Sequence, residues 1–390
     1  MPVNFDEVVD RRNTGSYKWS KYGPDVLPMF VADMDFRSPQ PVVQALLKRV
    51  EHGVFGYEWP SDDLGKLICQ RMEREYHWRV TPEQIMFLPG LVAGLNLICR
   101  AVGKQGDTAV MLTPVYPPFL SAPVNQFMTA STAQLREVRK GQTISYEIDY
   151  DAFEAAIQPN TSLFIHCHPH NPTGHEYTVA EMQRLAEICL RHKVVICSDE
   201  SQCDLLMDGT RHVPMASLSP EIAAQCITLM APSKTYNVPG LGCSFAIIQN
   251  PELLAAVTRA GSGFMPHVNA LGLAAAAAAY SEGDEWLAEL RTYLTGNRDT
   301  MVDYITENMP GISTTVPEAT YLAWLDCSKA ELPGNPYEFF LEKAHVALND
   351  GPTFGPGGEN FVRFNYGCPR AQMMEALERM KTALDQTRRA

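Results

Sequence analysis

The sequence lacks an apolar run long enough to cross a membrane. Its longest such stretch is the 11-residue segment ALGLAAAAAAY at 270–280, whereas a spanning helix needs about 20 residues. The first residues, MPVNFDEVVDRR, are polar and acidic and contain no apolar core of the kind that a secretory signal has. We therefore expect a cytoplasmic protein.

An excess of positive charge is also missing. The chain has 32 Lys and Arg against 45 Asp and Glu, which gives a formal net charge of −13 at pH 7. A field of that sign repels phosphate backbones and anionic lipid. We therefore expect neither nucleic acid nor a membrane surface as a partner.

The ten cysteines contain no Cys-x-x-Cys pair. Several of them, such as Cys167 and Cys197, stand in apolar runs that are typical of buried strands. This pattern indicates reduced, buried thiols and not a disulfide framework.

What the sequence does contain is an alternation of short apolar runs with segments of helical periodicity. The apolar runs are 85–88, 108–112, 163–167, 194–198, 227–230 and 244–248, and helices are predicted at 41–52, 62–76 and 178–192. Alternating strands and helices favour an α/β fold with a mostly parallel sheet that helices cover on both faces.

The pattern changes near residue 285. Residues 284–308 have the periodicity of one long helix, and weaker strand and helix signals follow it at 321–325, 337–344, 361–365 and 370–387. We predict a large domain at 45–285, a small C-terminal α+β domain at 286–390, and an N-terminal segment at 1–44 that packs with the small domain.

Polar residues follow the predicted strands, where ligands bind in open parallel sheets. Gly90 opens a helix after the first strand, and free N–H groups at a helix start favour an anion. Asn171 stands in the loop HPHNPTG after the strand 163–167. Asp199 ends another buried strand, where a carboxylate is costly unless it is paired.

Ser233 and Lys234 follow the strand 227–230, and a lysine in such a position is a candidate Schiff-base amine. Singly, each residue has an ordinary alternative: a turn for Gly90, a helix cap for Asp199, a solvated charge for Lys234. Together they match a site for pyridoxal 5′-phosphate (PLP). In such a site Lys234 binds the aldehyde, Asp199 pairs with the pyridine nitrogen, and Asn171 donates to the ring phenolate.

Longer phrases make a family resemblance specific. They are LPMFVADMDF (27–36), VEHGVFGY (50–57), TPVYPPF (113–119), PHNPTG (169–174), SDE (198–200), APSKTYNVPGLG (231–242) and FVRFNYGCPR (361–370). Over essentially its whole length the sequence resembles the PLP-dependent enzymes of the class I/II aminotransferase superfamily, most closely the MalY/PatB-type cystathionine β-lyases. The resemblance implies the PLP-dependent transferase fold of type I, with a mostly parallel central sheet in a large domain and a smaller α+β domain.

The resemblance also implies how the cofactor is held. Lys234 would bind its aldehyde and move the proton at Cα and C4′, and Asp199 would face the pyridine nitrogen. Further cofactor contacts are implied for Asn171, Tyr116, Ser233, Gly90, Leu91, Val92 and Gln202. Tyr57 is implied to bind the phosphate of the neighbouring subunit, so that a homodimer with a shared active site is expected.

Substrate contacts are implied for a second group of residues. Arg363 would clamp the α-carboxylate of an amino acid, since a guanidinium donates two parallel hydrogen bonds to that group. Asn171, together with Asp33 and Met34 of the phrase VADMDF, would complete the substrate side.

The activity implied by the resemblance is a carbon–sulfur β-lyase. Such an enzyme removes the sulfur substituent of a cystathionine-like or cysteine-conjugate amino acid and yields pyruvate, ammonia and a thiol. Two departures leave alternatives open: Gln202 replaces a usual His near the phenolate side of the cofactor, and His168 replaces a usual Asn. Unlike the histidine that it replaces, glutamine cannot gain or lose a proton near pH 7.

The first alternative is γ-replacement or carbon–carbon bond formation on an amino acid with a γ-leaving group, such as S-adenosylmethionine. The second is an aminotransferase. The third is a non-catalytic regulator on the same fold, against which the retention of Lys234, Asp199, Asn171 and Arg363 argues.

A metal is not expected in the histidine-rich stretch at 166–170. His166, Cys167, His168 and His170 lie at the end of one strand and in the following loop. Alternate strand residues point to opposite faces, so these four side chains cannot all converge on one ion unless the loop bends back.

Overall fold

A computed structural model describes residues 3–389, and fifteen strands form in this part of the chain. They are β1 (Leu27–Pro28), β2 (Ile85–Leu88), β3 (Thr108–Thr113), β4 (Thr129–Gln134), β5 (Arg136–Lys140), β6 (Thr143–Glu147), β7 (Thr161–Cys167), β8 (Val195–Asp199), β9 (Cys226–Met230), β10 (Ser244–Ile247), β11 (Ser313–Thr315), β12 (Leu322–Asp326), β13 (Val346–Ala347), β14 (Asn349–Asp350) and β15 (Phe361–Asn365). The six apolar runs predicted as strands are all strands, with bounds that differ by at most two residues.

The helices are α1 (Tyr17–Ser20), α2 (Gln40–Glu51), α3 (Asp62–Tyr76), α4 (Leu91–Val102), α5 (Pro117–Asn125), α6 (Tyr150–Ala156), α7 (Val179–His192), α8 (Pro220–Ala223), α9 (Pro232–Thr235), α10 (Pro251–Gly261), α11 (Ala270–Glu282), α12 (Asp284–Asn308), α13 (Pro336–Phe339) and α14 (Arg370–Arg389). Side-chain caps fix several helix starts: Ser61 accepts from the Leu64 N–H before α3, and Thr178 forms a capping box with Glu181 before α7. Within residues 3–389, no helix combines the length and the apolar character that a membrane span requires.

A seven-stranded sheet with the order β2-β10-β9-β8-β7-β3-β4 forms the centre of the molecule. From β9 to β4 all neighbouring strands are parallel, and β10 runs antiparallel to both β9 and β2. The predicted mostly parallel sheet is therefore confirmed.

Both faces of this sheet are buried. Along β3, Val110 and Leu112 enter one apolar cluster, whereas Ala109 and Met111 enter a second one on the opposite face. This burial explains why the strands are near-continuous apolar runs in the sequence.

A second sheet has the order β14-β15-β12-β11-β6-β5. It takes most of its strands from the C-terminal part of the chain, but the hairpin β5–β6 comes from between β4 and α6. Near the N-terminus β1 pairs with β13 in parallel. The domain bounds 45–285 and 286–390 stay predictions, and the hairpin at 136–147 crosses from the first unit to the sheet of the second.

Candidate active site

The main candidate site is a cavity at the carboxyl ends of the central strands. Asp199 of β8 lies level with Cys167 of β7 on one side and with Leu229 of β9 on the other, so the loops that follow these strands meet at one edge. The cavity lining includes nine predicted site residues: Gly90, Leu91, Val92, Tyr116, Asn171, Asp199, Gln202, Ser233 and Lys234.

Lys234 lies in the short helix α9, directly after β9. Its Nζ donates a hydrogen bond of 2.5 Å to the carbonyl oxygen of Ala32, which also accepts from the Tyr321 hydroxyl at 2.9 Å. Burial lowers the pKa of Lys234 to about 8, although Asp33 acts in the opposite direction. Near physiological pH the neutral fraction of this amine is therefore much larger than that of an ordinary lysine.

Asp199 presents a buried carboxylate to the cavity. Its Oδ1 accepts a hydrogen bond of 3.0 Å from the Ser201 N–H. Burial raises the pKa of Asp199, and the hydrogen bond from Ser201 opposes that shift. A positive charge placed against this carboxylate would stabilise its ionised form.

Asn171 and Arg363 form a buried pair from opposite parts of the sequence. Arg363 Nη1 donates to Asn171 Oδ1 at 2.9 Å, and its Nη2 donates to Phe30 O at 3.0 Å and to Asn349 Oδ1 at 2.7 Å. Because Oδ1 of Asn171 already accepts from the guanidinium, its Nδ2 group remains as a donor. Burial lowers the pKa of Arg363 to about 10, so the group is still a cation at neutral pH.

The fourth feature is an anion cradle at the start of α4. Gly90 is the N-cap residue, and a side chain placed there would meet no atom within 4 Å. The first N–H groups of the helix, from Leu91 and Val92, have no partner within the helix. Together with the hydroxyl of Ser233, which also lines the cavity, they suit a phosphate group.

These features fit the three polar parts of PLP that the sequence analysis predicts here. The cradle at Gly90 suits the phosphate, the buried Asp199 suits a protonated pyridine nitrogen, and the amine of Lys234 suits the aldehyde. Gln202 also lines the cavity, and its buried Oε1 has no hydrogen-bond partner within residues 3–389. The same amide carries an N–H₂ group, the kind of donor from which a ring phenolate accepts.

Comparison with known proteins identifies the family. Residues 24–380 match the sequence profile of the family described as aminotransferase class I and II. The protein belongs to this family. It is 38% identical to the cystathionine β-lyase PatB of Bacillus subtilis, over 98% of this chain and 100% of PatB.

Solved structures of family members agree with this assignment. Cystalysin from Treponema denticola, a structure that contains PLP, superposes with a TM-score of 0.94 at 31% identity and covers 99% of this chain and 100% of its own. The PLP-bound C-S lyase from Staphylococcus hominis superposes with a TM-score of 0.91 at 31% identity, with 98% of each chain covered. The fold of type I is therefore confirmed.

Four of the predicted site residues do not line the cavity of Lys234. Arg363 lies behind its wall, where it contacts the lining residue Asn171, and the other three lie elsewhere. Tyr57 is fully exposed and lines a separate groove. Asp33 and Met34 line a second cavity, where the Asp33 carboxylate is paired with Arg11 at 2.7 Å and with Lys18 at 3.6 Å. Their proposed roles stay predictions.

Sequence reasoning missed Ala32 and Tyr321 as site residues. Ala32 acts through its backbone carbonyl, and an alanine side chain gives no sign of such a contact. Tyr321 precedes β12 and reaches Ala32 from 289 residues away. The phrase VADMDF, which contains Ala32, was the one available signal for this part of the site.

Proposed function

We propose that this protein is a PLP-dependent carbon–sulfur β-lyase. Its substrates are cystathionine-like or cysteine-conjugate amino acids, and with one water molecule it releases pyruvate, ammonia and a thiol. The observation that carries the proposal is the full-length likeness to a curated cystathionine β-lyase, PatB. The cavity around Lys234 and Asp199 supports it, since it offers the groups that this chemistry requires.

PLP, when bound, supplies an electron sink for the charge that develops at the substrate Cα. Lys234 accepts the Cα proton, a role that suits an amine whose pKa is lowered to about 8 by burial. Asp199 would hold a proton on the pyridine nitrogen, because its carboxylate faces the cavity and its negative charge pairs with the protonated ring.

Arg363 orients the substrate by binding its α-carboxylate. The guanidinium is buried, positively charged and fixed by Asn171, Phe30 and Asn349. Its Nε atom has no hydrogen-bond partner among residues 3–389, so this N–H is available to a carboxylate oxygen. Such an arrangement selects an amino acid over an amine without a carboxylate.

The active unit that we propose is a homodimer. Val54, Phe55, Tyr57 and Trp59 form an exposed apolar segment, with Tyr57 the most exposed of the four. Exposed apolar patches of this kind mark protein interfaces. A second copy of the chain would cover this segment and would bring its own Tyr57 to the phosphate end of the cavity.

The location that we propose is the cytoplasm. All ten cysteines are free thiols, and nine of them are buried. Free thiols are typical of a reducing compartment.

Product analysis tests the proposed activity. Purified PLP-loaded protein is mixed with L-cystathionine, and pyruvate, ammonia and free thiol are measured against a Lys234→Ala control. We expect equal amounts of the three products from the native chain and a loss of at least about 1000-fold in the variant.

Parallel reactions separate the alternatives. Release of methylthioadenosine from S-adenosylmethionine, without pyruvate from cystathionine, would show γ-replacement chemistry and contradict the proposed lyase activity. Amino-group exchange with a 2-oxo acid in place of pyruvate release would identify an aminotransferase. A protein that fails to bind PLP at all would contradict both the cofactor and the enzyme proposals.

A further inference from the structure

Three buried side chains with metal-ligating atoms meet beside the loop that carries Asn171. They are His168, Glu176 and His212, and one ligand atom of each lies within 4.8 Å of the other two. Nδ1 of His212 is 2.8 Å from Oε1 of Glu176, and Nε2 of His168 is 3.6 Å from the same oxygen. None of the three lines the cavity of Lys234, so this cluster is separate from the candidate active site.

The spacing of the cluster is close to that of a tetrahedral zinc centre. With metal–ligand bonds of 2.0–2.1 Å, neighbouring donor atoms lie about 3.3 Å apart. The distances of 2.8 Å and 3.6 Å to Glu176 bracket this value. The ligand atoms of the two histidines lie within 4.8 Å of each other, so side-chain rotation would have to bring them to one ion.

His212 already makes the hydrogen bond to a carboxylate that metal-ligating histidines commonly make through their other ring nitrogen. Nε2 of His212 lies 2.9 Å from Oε2 of Glu200, which fixes the other nitrogen, Nδ1, toward Glu176. Glu200 is held in turn by the Ser198 hydroxyl at 2.7 Å and the Met215 N–H at 3.0 Å. A carboxylate that accepts from the far nitrogen of a histidine is the usual second layer of a zinc site.

The charges of the cluster are unbalanced without a cation. Two buried carboxylates, Glu176 and Glu200, share the bridging imidazole of His212, and His168 is the second imidazole beside Glu176. Oε2 of Glu176 has no hydrogen-bond partner in the described part of the chain. Nε2 of His168 lies 3.3 Å from the carbonyl oxygen of Val213, a contact that the ion would replace. A divalent ion would neutralise both carboxylates and give Glu176 Oε2 a partner, which a buried anion requires.

We propose that His168, Glu176 and His212 bind one divalent transition-metal ion, with Zn²⁺ as the first candidate. Two imidazoles and one carboxylate suit zinc better than magnesium or calcium, which prefer oxygen ligands. The ion would join the loop between β7 and α7, which carries Asn171, to the loop that follows β8. The expectation that residues 166–170 bind no metal concerns those residues alone, and two of the three ligands proposed here, Glu176 and His212, lie outside that stretch.

Metal content measured on the intact protein tests the proposal without reference to activity. The full-length PLP-loaded protein is freed of excess cofactor by gel filtration, equilibrated with Zn²⁺ and dialysed against metal-free buffer before mass-spectrometric analysis. We expect about one zinc per chain in the native protein and less than about 0.1 in His168→Asn and in Glu176→Gln. His192→Asn, which alters an exposed His–Glu pair, should retain the metal.

Thermal unfolding supplies a second readout. Zn²⁺ added to chelator-treated native protein should raise its unfolding midpoint by several degrees, because the ion binds only the folded chain. The same addition should leave the midpoint of His168→Asn unchanged. If this variant does not fold, the zinc content of Glu176→Gln and that of the native protein test the proposal instead.

A native protein with less than about 0.1 zinc per chain, or one whose zinc survives both ligand substitutions, overturns the proposal. The cluster would then be a metal-free charge network. In that state burial disfavours the protonated imidazole, but Glu176 and Glu200 raise the pKa of His212 to about 10 and keep it charged.

Discussion

The amine of Lys234 has a pKa below the ordinary value of a lysine side chain. Burial lowers this pKa to about 8 from an ordinary value of 10.5. Only the neutral amine condenses with an aldehyde. We therefore expect the rate at which the cofactor-free protein captures PLP to rise with pH up to about 8 and to level off above it.

The capture rate is followed from the visible absorbance of the bound cofactor at a series of pH values. A rate that continues to climb beyond about pH 9 would show a lysine with an unperturbed amine. The variant Asp33→Asn is informative, since Asp33 favours the charged form of Lys234. Its removal should shift the pH profile to lower pH.

Gln202 is the residue at which this chain departs from the expected family pattern inside the cavity. It is buried, and its Oε1 has no partner within residues 3–389. If glutamine redirects the reaction because it cannot titrate, Gln202→His should raise kcat/KM for pyruvate formation from cystathionine by about tenfold. Gln202→Asn, which keeps the amide, is the control, and equal rates in all three proteins would show that the substitution is neutral.

At the scale of secondary-structure elements, His175 connects the start of α7 to the loop before β12. His175 Nδ1 lies 2.8 Å from Glu318 Oε2, and its Nε2 lies 3.3 Å from Glu181 Oε2. Burial opposes protonation, but the two carboxylates raise the pKa of His175 to about 9. A raised pKa in the folded state stabilises the protein fully below the unfolded value of about 6.5 and loses that contribution as the pH rises through 9.

His175→Gln should therefore lower the free energy of unfolding by about 1–2 kcal/mol at pH 6, with solvent screening included. The loss should shrink when the measurement is repeated near pH 9.5. Thr178→Ala removes the capping box at the same helix start and should cost about 1 kcal/mol at both pH values. A pH-independent effect of His175→Gln would contradict the ion-pair account.

At the scale of the whole molecule, the exposed segment at 54–59 predicts self-association. Phe55 and Trp59 are 60% and 74% exposed, which is unfavourable for large apolar side chains in an isolated chain. We expect the native protein to sediment as a dimer, and we expect the double variant Phe55→Ser, Trp59→Ser to sediment as a monomer and to bind PLP more weakly.

Val316→Ser provides the control for this experiment, because Val316 is an exposed apolar residue outside this segment. It should leave the dimer intact. A native protein that sediments as a monomer would contradict the shared active site, and a double variant that remains dimeric would place the interface elsewhere.

Much of the fold is predictable from the sequence because buried parallel strands carry a strong signal. The strands β7, β8 and β9 are near-continuous apolar runs, and they form where they are predicted. The edge elements are not predictable in this way. The segments TASTAQ of β4 and REVRK of β5 are mostly polar and only partly buried, so neither shows an apolar run.

The helix predicted at 337–344 shows a related limit. It starts at Pro336 and ends in a π-helical turn over Phe340–Ala344. Apolar spacing predicts helical structure there, but the two kinds of turn differ in hydrogen bonding, which the side-chain pattern does not record.

The sequence by itself determined the parallel sheet and the set of polar residues at its strand ends. Apolar runs dictate burial, and the ends of parallel strands meet at one edge whatever the loops do. Only the tertiary structure decided which distant groups meet there: Arg363 with Asn171, Ala32 with Lys234, and His212 with Glu176. These contacts depend on how the second sheet, the N-terminal segment and the long loops pack, and no local pattern of residues encodes such packing.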